Sequence, residues 1–293
     1  MTIAIGLIPN EKTIMLIQDS EASYTNLGFT QDIMHKIKVV NDAAVVGLIG
    51  HASFANEIVE AVQKGKYEED RALCSALEEA YHKVREEKLA KGVLRMYGFQ
   101  NMREFSQTTP PIDPMVREQV MRAVNNPEGF GVELMLATNL KQPHLYRVQY
   151  PGTGVLENNV KMYQVSGSGA IMTIDKMGEE LERYRWQKEL SIDEGIDVLM
   201  RAGKASEKHT GVGGPFEIAY ITRGDEDKTK VVKPDQKKIN MVMYLFPLSV
   251  NPKVLLDCIE QMRDDNVKAE DLADYIRKNV QVGVEFNRYF GLS

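Results

Sequence analysis

Residues 43–49 read Ala-Ala-Val-Val-Gly-Leu-Ile, an almost unbroken apolar run between an Asn41-Asp42 turn and Gly50. Seven residues is strand length and too short for an ordinary helix. A strand with one wet face alternates apolar and polar residues, so a continuous run expects cover on both faces. Lys36–Val40, on the other side of the Asn41-Asp42 turn, reads as its hairpin partner.

The rest of the chain supplies material for such layers. Residues 3–8 place Ile3, Ile5 and Leu7 on one face of an extended segment, and Pro9–Lys12 forms a turn into a second strand over Thr13–Gln18. The polar stretch from Asp19 to Gln31 reads as a loop. Helices are expected from Ala52 to Gln63 and from Asp70 to Leu94, the latter with Leu73, Leu77, Tyr81 and Val84 at helical spacing. Pro110-Pro111, Pro114 and Asn125-Asn126-Pro127 mark an insertion at about 95–131 with one short helix near Met115–Val124. Strands are expected at Val132–Thr138, His144–Gln149, Lys161–Val165, Phe216–Thr222 and Met241–Leu245. Two helices occupy the interval from Ala170 to Lys208, the first ending near Lys188 and the second opening on a Ser191-Ile192-Asp193-Glu194 capping box. Residues 251–293 read as a helical extension beyond a main domain of residues 1–250. Short turns between strands and helices grouped in batches give an α+β layered fold with antiparallel sheets.

Composition removes several functional classes. The net charge is -6 with no basic tract, which leaves nucleic-acid binding without support. No apolar run is long enough for a membrane span, and the N-terminus lacks the features of a secretory signal. Cys74 and Cys258 each lie in an apolar helical pattern, so buried thiols are expected rather than a disulfide, in keeping with a cytoplasmic location. The five histidines form no zinc-like spacing with the cysteines. The fifteen methionines are expected as core filler.

The residues with chemical potential are few. Removal of Met1 would leave Thr2 with a free α-amine beside its hydroxyl. An α-amine titrates near ~8, so it can take the hydroxyl proton and make the threonine a nucleophile. Many chains begin Met-Thr without consequence, so Thr2 needs partners. A positive charge would lower the pKa of the amine, a carboxylate would hold that charge, and a backbone N–H would serve the oxyanion. Lys36 begins an apolar strand, although a lysine there most often faces solvent. Asp19 ends the strand expected to pair with the Thr2 strand, although a turn aspartate is common. Gly167-Ser168-Gly169, before a helix, exposes backbone N–H groups to an anion. It lacks the Gly-Lys-Ser/Thr ending of a P-loop and the spacing of a dinucleotide fingerprint.

In their order along the chain, these pieces resemble the proteasome β-subunit family of N-terminal nucleophile hydrolases. Thr2–Gly6 resembles its mature start. Ile14–Ser23 resembles its strand ending in Asp-Ser-Arg-Ala-Thr. Lys36-Ile37 with Gly47–Gly50 looks like its lysine-bearing hairpin, and Ser166–Gly169 like its Gly-Ser-Gly turn. Asp193–Ala202, Gly213-Gly214 and Phe216–Thr222 resemble its helix, glycine turn and strand. The resemblance covers roughly residues 2–65 and 160–225.

The resemblance implies a four-layer αββα sandwich carrying an N-terminal threonine peptidase. Thr2 would be nucleophile and base, Asp19 would hold the lysine, Lys36 would tune the nucleophile, Ser168 would support by hydrogen bonding, and Gly50 would donate to the oxyanion. It further implies peptide or unfolded-protein substrates, a homo-oligomer such as a ring, an ATPase partner and no cofactor. Three positions depart from the pattern: Glu21 stands for an arginine, His209 for an aspartate that orients the site, and Val212 for a serine. An unperturbed histidine side chain, unlike an aspartate, changes charge near neutral pH. Those departures keep two alternatives open. An amine rather than water can capture the acyl-enzyme, giving an amide transferase, or the chain can be a non-catalytic ring or scaffold subunit.

Overall fold

The computed structural model describes residues 2–20, 22–24, 29–31, 35–63, 65–108, 112–125, 131–150, 154–157, 162–185, 189–208, 215–224 and 226–291. Two five-stranded antiparallel sheets organise them. The first runs β10 (Tyr163–Gly167), β1 (Ile3–Asn10), β2 (Thr13–Asp19), β11 (Phe216–Arg223), β12 (Thr229–Val232). The second runs β5 (Ile37–Asn41), β6 (Ala44–Gly50), β7 (Val132–Thr138), β8 (His144–Tyr150), β9 (Gly154–Glu157). A short β3–β4 pair (Ala22–Tyr24, Phe29–Gln31) lies in the stretch expected to be a loop.

The alternation of side chains along each strand decides which core it feeds. Ile3, Ile5 and Leu7 of β1, Met15 and Ile17 of β2, and Phe216, Ile218 and Tyr220 of β11 join one apolar cluster. That cluster includes α5 (Ala170–Arg183), α6 (Ile192–Ser206) and α7 (Gln236–Leu245). It continues into α8 (Pro252–Arg263), α9 (Ala269–Asn279) and α10 (Val284–Phe290), so the helices after residue 251 share the core of the first sheet. On the opposite phase, Ala4, Ile14, Leu16, Ala219 and Ile221 meet Ile37, Val45, Ile49, Met135 and Ala137 of the second sheet. The outer face of the second sheet packs Val46, Leu48, Leu134 and Leu136 on α1 (Ala52–Val62) and α2 (Asp70–Gly92). The run at 43–49 is therefore covered on both faces, its alternate residues belonging to two different clusters.

Some elements differ from expectation. Residues 241–245 end helix α7 rather than forming a strand; Met241, Val242, Met243 and Leu245 are all buried on the helical side of the first sheet, and a short apolar run does not by itself distinguish the two. The insertion holds a 3-10 turn (Leu94–Tyr97), α3 (Met102–Gln107) and α4 (Pro114–Asn125) rather than one helix. These enclose a small core of Leu89, Leu94, Phe105, Val120 and Val124. Helix α5 ends at Arg183, short of Lys188. Strands β9 and β12 and helix α10 have too few periodic residues to stand out in the sequence. The capping box at Ser191 and Glu194 is present, and both cysteines are buried free thiols.

Candidate functional site

Strand β2 lies between β1 and β11 and ends at Asp19, opposite Phe216. β1 begins at Ile3, opposite Gly167 of β10. Thr2, Asp19 and Gly167 therefore share one end of the first sheet, and the ladder fixes their relative positions.

Thr2 is held by its own backbone. The Ser168 N–H donates to the Thr2 carbonyl at 3.0 Å, and the Ser168 hydroxyl lies at 3.5 Å from the same oxygen. The turn that allows this is built on Gly167, with φ +105°, where a Cβ would fall 2.0 Å from the Thr2 carbonyl oxygen. Only glycine tolerates both the dihedral and the approach. Ser168 thus acts on Thr2 chiefly through its backbone.

Lys36 arrives from the second sheet, one residue before β5. Its Nζ donates to Thr2 Oγ1 at 2.8 Å and to Asp19 Oδ2 at 3.4 Å. Lys36 is 2% exposed and Asp19 fully buried, so the strand-start lysine faces inward. The other Asp19 oxygen accepts the Ile3 N–H at 2.8 Å, tying the carboxylate to the residue after Thr2. Burial pushes the Asp19 carboxyl up to about 6, opposed by the Lys36 charge and the Ile3 hydrogen bond. A carboxylate at Asp19 beside an ammonium at Lys36 is the arrangement that compensates two buried charges.

Gly50 closes β6, exposed and with φ +83°, at the end where Leu48 N–H donates to the Lys36 carbonyl at 3.0 Å. Glu21, His209, Val212 and Gly213-Gly214 lie outside the described residues. The structure thus brings Thr2, Asp19, Lys36 and Ser168 into one hydrogen-bonded group.

Three polar residues missing from the sequence reading stand behind that group. Glu217 in β11 is buried; one carboxylate oxygen accepts the Ile37 N–H at 2.9 Å and the other bonds His35 Nδ1. Gln18, its partner in register on β2, is buried and donates from Nε2 to the Leu48 carbonyl. Lys233 donates to the Ile37 carbonyl at 2.9 Å, and burial holds its ammonium pKa below the ordinary lysine value against the attraction of Glu217. The available signal was a glutamate at the second position of the otherwise apolar run 216–221.

A cleft of about 550 Å³ lies elsewhere, lined in part by Lys176, Glu180, Arg201, Lys204 and Phe246. It shares no residue with the Thr2 group. Lys176 pairs with Glu180, Arg201 with Asp197 and Lys204 with Glu207, so its charges are largely neutralised locally. Among the described residues no group of three or more His, Cys, Asp or Glu is placed to hold a metal ion, and no helix is long and apolar enough to cross a membrane.

No family model matches the chain, and no curated protein matches it.

Proposed function

We propose that this chain is an N-terminal threonine amidohydrolase acting on peptide bonds, with the αββα sandwich of N-terminal nucleophile hydrolases. The observation that carries the reading is the 2.8 Å contact between Lys36 Nζ and Thr2 Oγ1, with the same ammonium 3.4 Å from the buried Asp19 carboxylate. A lysine in a purely structural ion pair has no need to share its ammonium with the hydroxyl of the second residue. The order of the clusters, helices on a sheet, sheet on sheet, and sheet on helices, supports the sandwich.

Loss of Met1 exposes the Thr2 amine. That amine accepts the hydroxyl proton as Oγ1 attacks the carbonyl carbon of the substrate amide. The Lys36 ammonium stabilises the developing negative charge on Oγ1, and its field keeps the amine from protonating at neutral pH. The tetrahedral intermediate collapses by breaking the C–N bond. The leaving amine takes the proton held by the Thr2 amine, and an ester to Oγ1 remains. Water adds to the ester with the Thr2 amine again as base, and the C–Oγ1 bond breaks to release the carboxylic acid and restore threonine. Asp19 keeps Lys36 charged and aimed throughout. Gly50 is assigned the oxyanion donor role, from the end of β6. A panel of fluorogenic peptide amides tests the activity: turnover is expected for the wild type and none for Thr2→Ala, and equal turnover in both refutes the assignment.

A further inference from the structure

Among the described residues β5 is the outer strand of the second sheet, with β6 on one side and no strand on the other. Backbone groups on an antiparallel strand face alternately toward its neighbour and away from it. The Lys36 carbonyl accepts the Leu48 N–H and so faces β6. Ile37, one residue on, presents its N–H and carbonyl to the open edge. Side chains meet both groups there: Glu217 accepts the N–H at 2.9 Å, and Lys233 donates to the carbonyl at 2.9 Å.

Glu217 does more than satisfy an edge. Its second oxygen bonds the His35 ring, so one carboxylate grips the residues on either side of Lys36. It does so from β11, where Phe216 pairs with Asp19, and so ties the lysine segment to the strand beside the carboxylate that Lys36 must meet. Glu217 is 4% exposed, and its neighbours of the same phase on β11, Ala219 and Ile221, belong to the apolar layer between the sheets. Burying a carboxylate in such a layer is costly unless its bonds compensate. An apolar residue at this position would fill the layer but would leave the Ile37 N–H without its partner.

We propose that Glu217 is a positioning residue that fixes the 35–37 backbone so that the Lys36 ammonium reaches Thr2 Oγ1. The inference rests on the reading of Thr2 as nucleophile. Glu217 touches neither Thr2 nor substrate in this scheme and acts only through Lys36.

The test is the kinetics of Thr2 modification by a peptide epoxyketone, resolved into kinact and KI, with the labelled residue located by peptide mass mapping. Glu217→Ala is expected to lower kinact about 100-fold, the scale for a reacting group displaced by ~1 Å, with KI unchanged. Glu217→Gln is expected to restore most of the rate, because its amide oxygen still accepts the Ile37 N–H. Should Glu217→Ala fail to fold by its melting transition, Lys233→Met serves instead. It leaves Glu217 in place, frees the Ile37 carbonyl and removes the cation that attracts Glu217, and is expected to slow kinact about tenfold, the scale of one charged hydrogen bond. Labelled wild type with a variant kinact within twofold of it overturns the positioning role alone. A Glu217→Gln protein as slow as Glu217→Ala also overturns it, since the hydrogen bond would then not be what matters. Wild type that does not label at Thr2 overturns the nucleophile reading, and this inference with it.

Discussion

Asp19 and Lys36 meet in one ion pair but are delivered in opposite ways. Asp19 ends β2, which has a strand on each side and is buried at all seven positions. Ser20 N–H also bonds the Pro215 carbonyl at 2.9 Å, extending the β2–β11 pairing past the carboxylate. Lys36 precedes β5, an edge strand whose outer side is held by two charged side chains, Glu217 and Lys233. A ladder of backbone hydrogen bonds is insensitive to most single substitutions, whereas a side-chain clamp is removed by one. The carboxylate half of the site is therefore set by topology, and the lysine half by a few particular residues.

The largest effect that can break this comparison comes at the reacting group. Thr2→Ala should abolish amide turnover, because it removes the attacking Oγ1. Lys36→Met should lower kcat by about 10²–10³-fold, the scale for removing one charge-stabilising donor. Lys36→Met also leaves Asp19 buried without its nearby cation, and the carboxyl should then titrate above about 6; carboxyl-resolved NMR titration reads that shift. A Lys36→Met protein with wild-type kcat would mean that the ammonium contact with Thr2 is incidental.

Acid should act next, through Asp19. Its folded-state value of about 6 exceeds the ~3.9 of an unfolded aspartate. Between those values the folded protein binds the extra proton. This group's contribution to stability is therefore greatest below pH ~4, declines as pH rises through about 6 and is constant above. Activity runs the other way, since protonated Asp19 no longer holds Lys36 by charge. A pH–rate profile should show an Asp19 step on its acid side with a midpoint of about 6, and Asp19→Asn should remove that step at lower overall activity, leaving only the limb from protonation of the Thr2 amine.

The smallest effect tests the two strands without any chemistry. Amide hydrogen exchange at Ile17, within β2, should report near-global opening, whereas exchange at Ile37 should be faster because its N–H is held by a side chain alone. Equal protection would show that the edge is as firmly held as the ladder.

The sheet strands were legible where they alternate or form a strand-length apolar run. Ile3, Ile5 and Leu7, and the run at 43–49, mark strands because each face they present is buried against a different layer. Residues 241–245 misled because a short apolar run buried all round looks alike in strand and helix. Thr2, Asp19, Lys36 and Ser168 could be named because motifs at strand ends and a glycine turn carry the resemblance that assigns them roles. Glu217 could not, because its role depends on which strand lies across the layer from it. Glycine at 167 was read for its exposed N–H groups, whereas its φ of +105° and the close passage of the Thr2 carbonyl are what require it.

The central claim is that Thr2, freed of Met1, is a nucleophile tuned by Lys36. Intact mass before and after treatment with a threonine-directed electrophile tests it most directly. A chain lacking Met1 that gains one equivalent of reagent is expected, with no gain in Thr2→Ala. A mature chain that retains Met1, or one whose labelling survives Thr2→Ala, would contradict it.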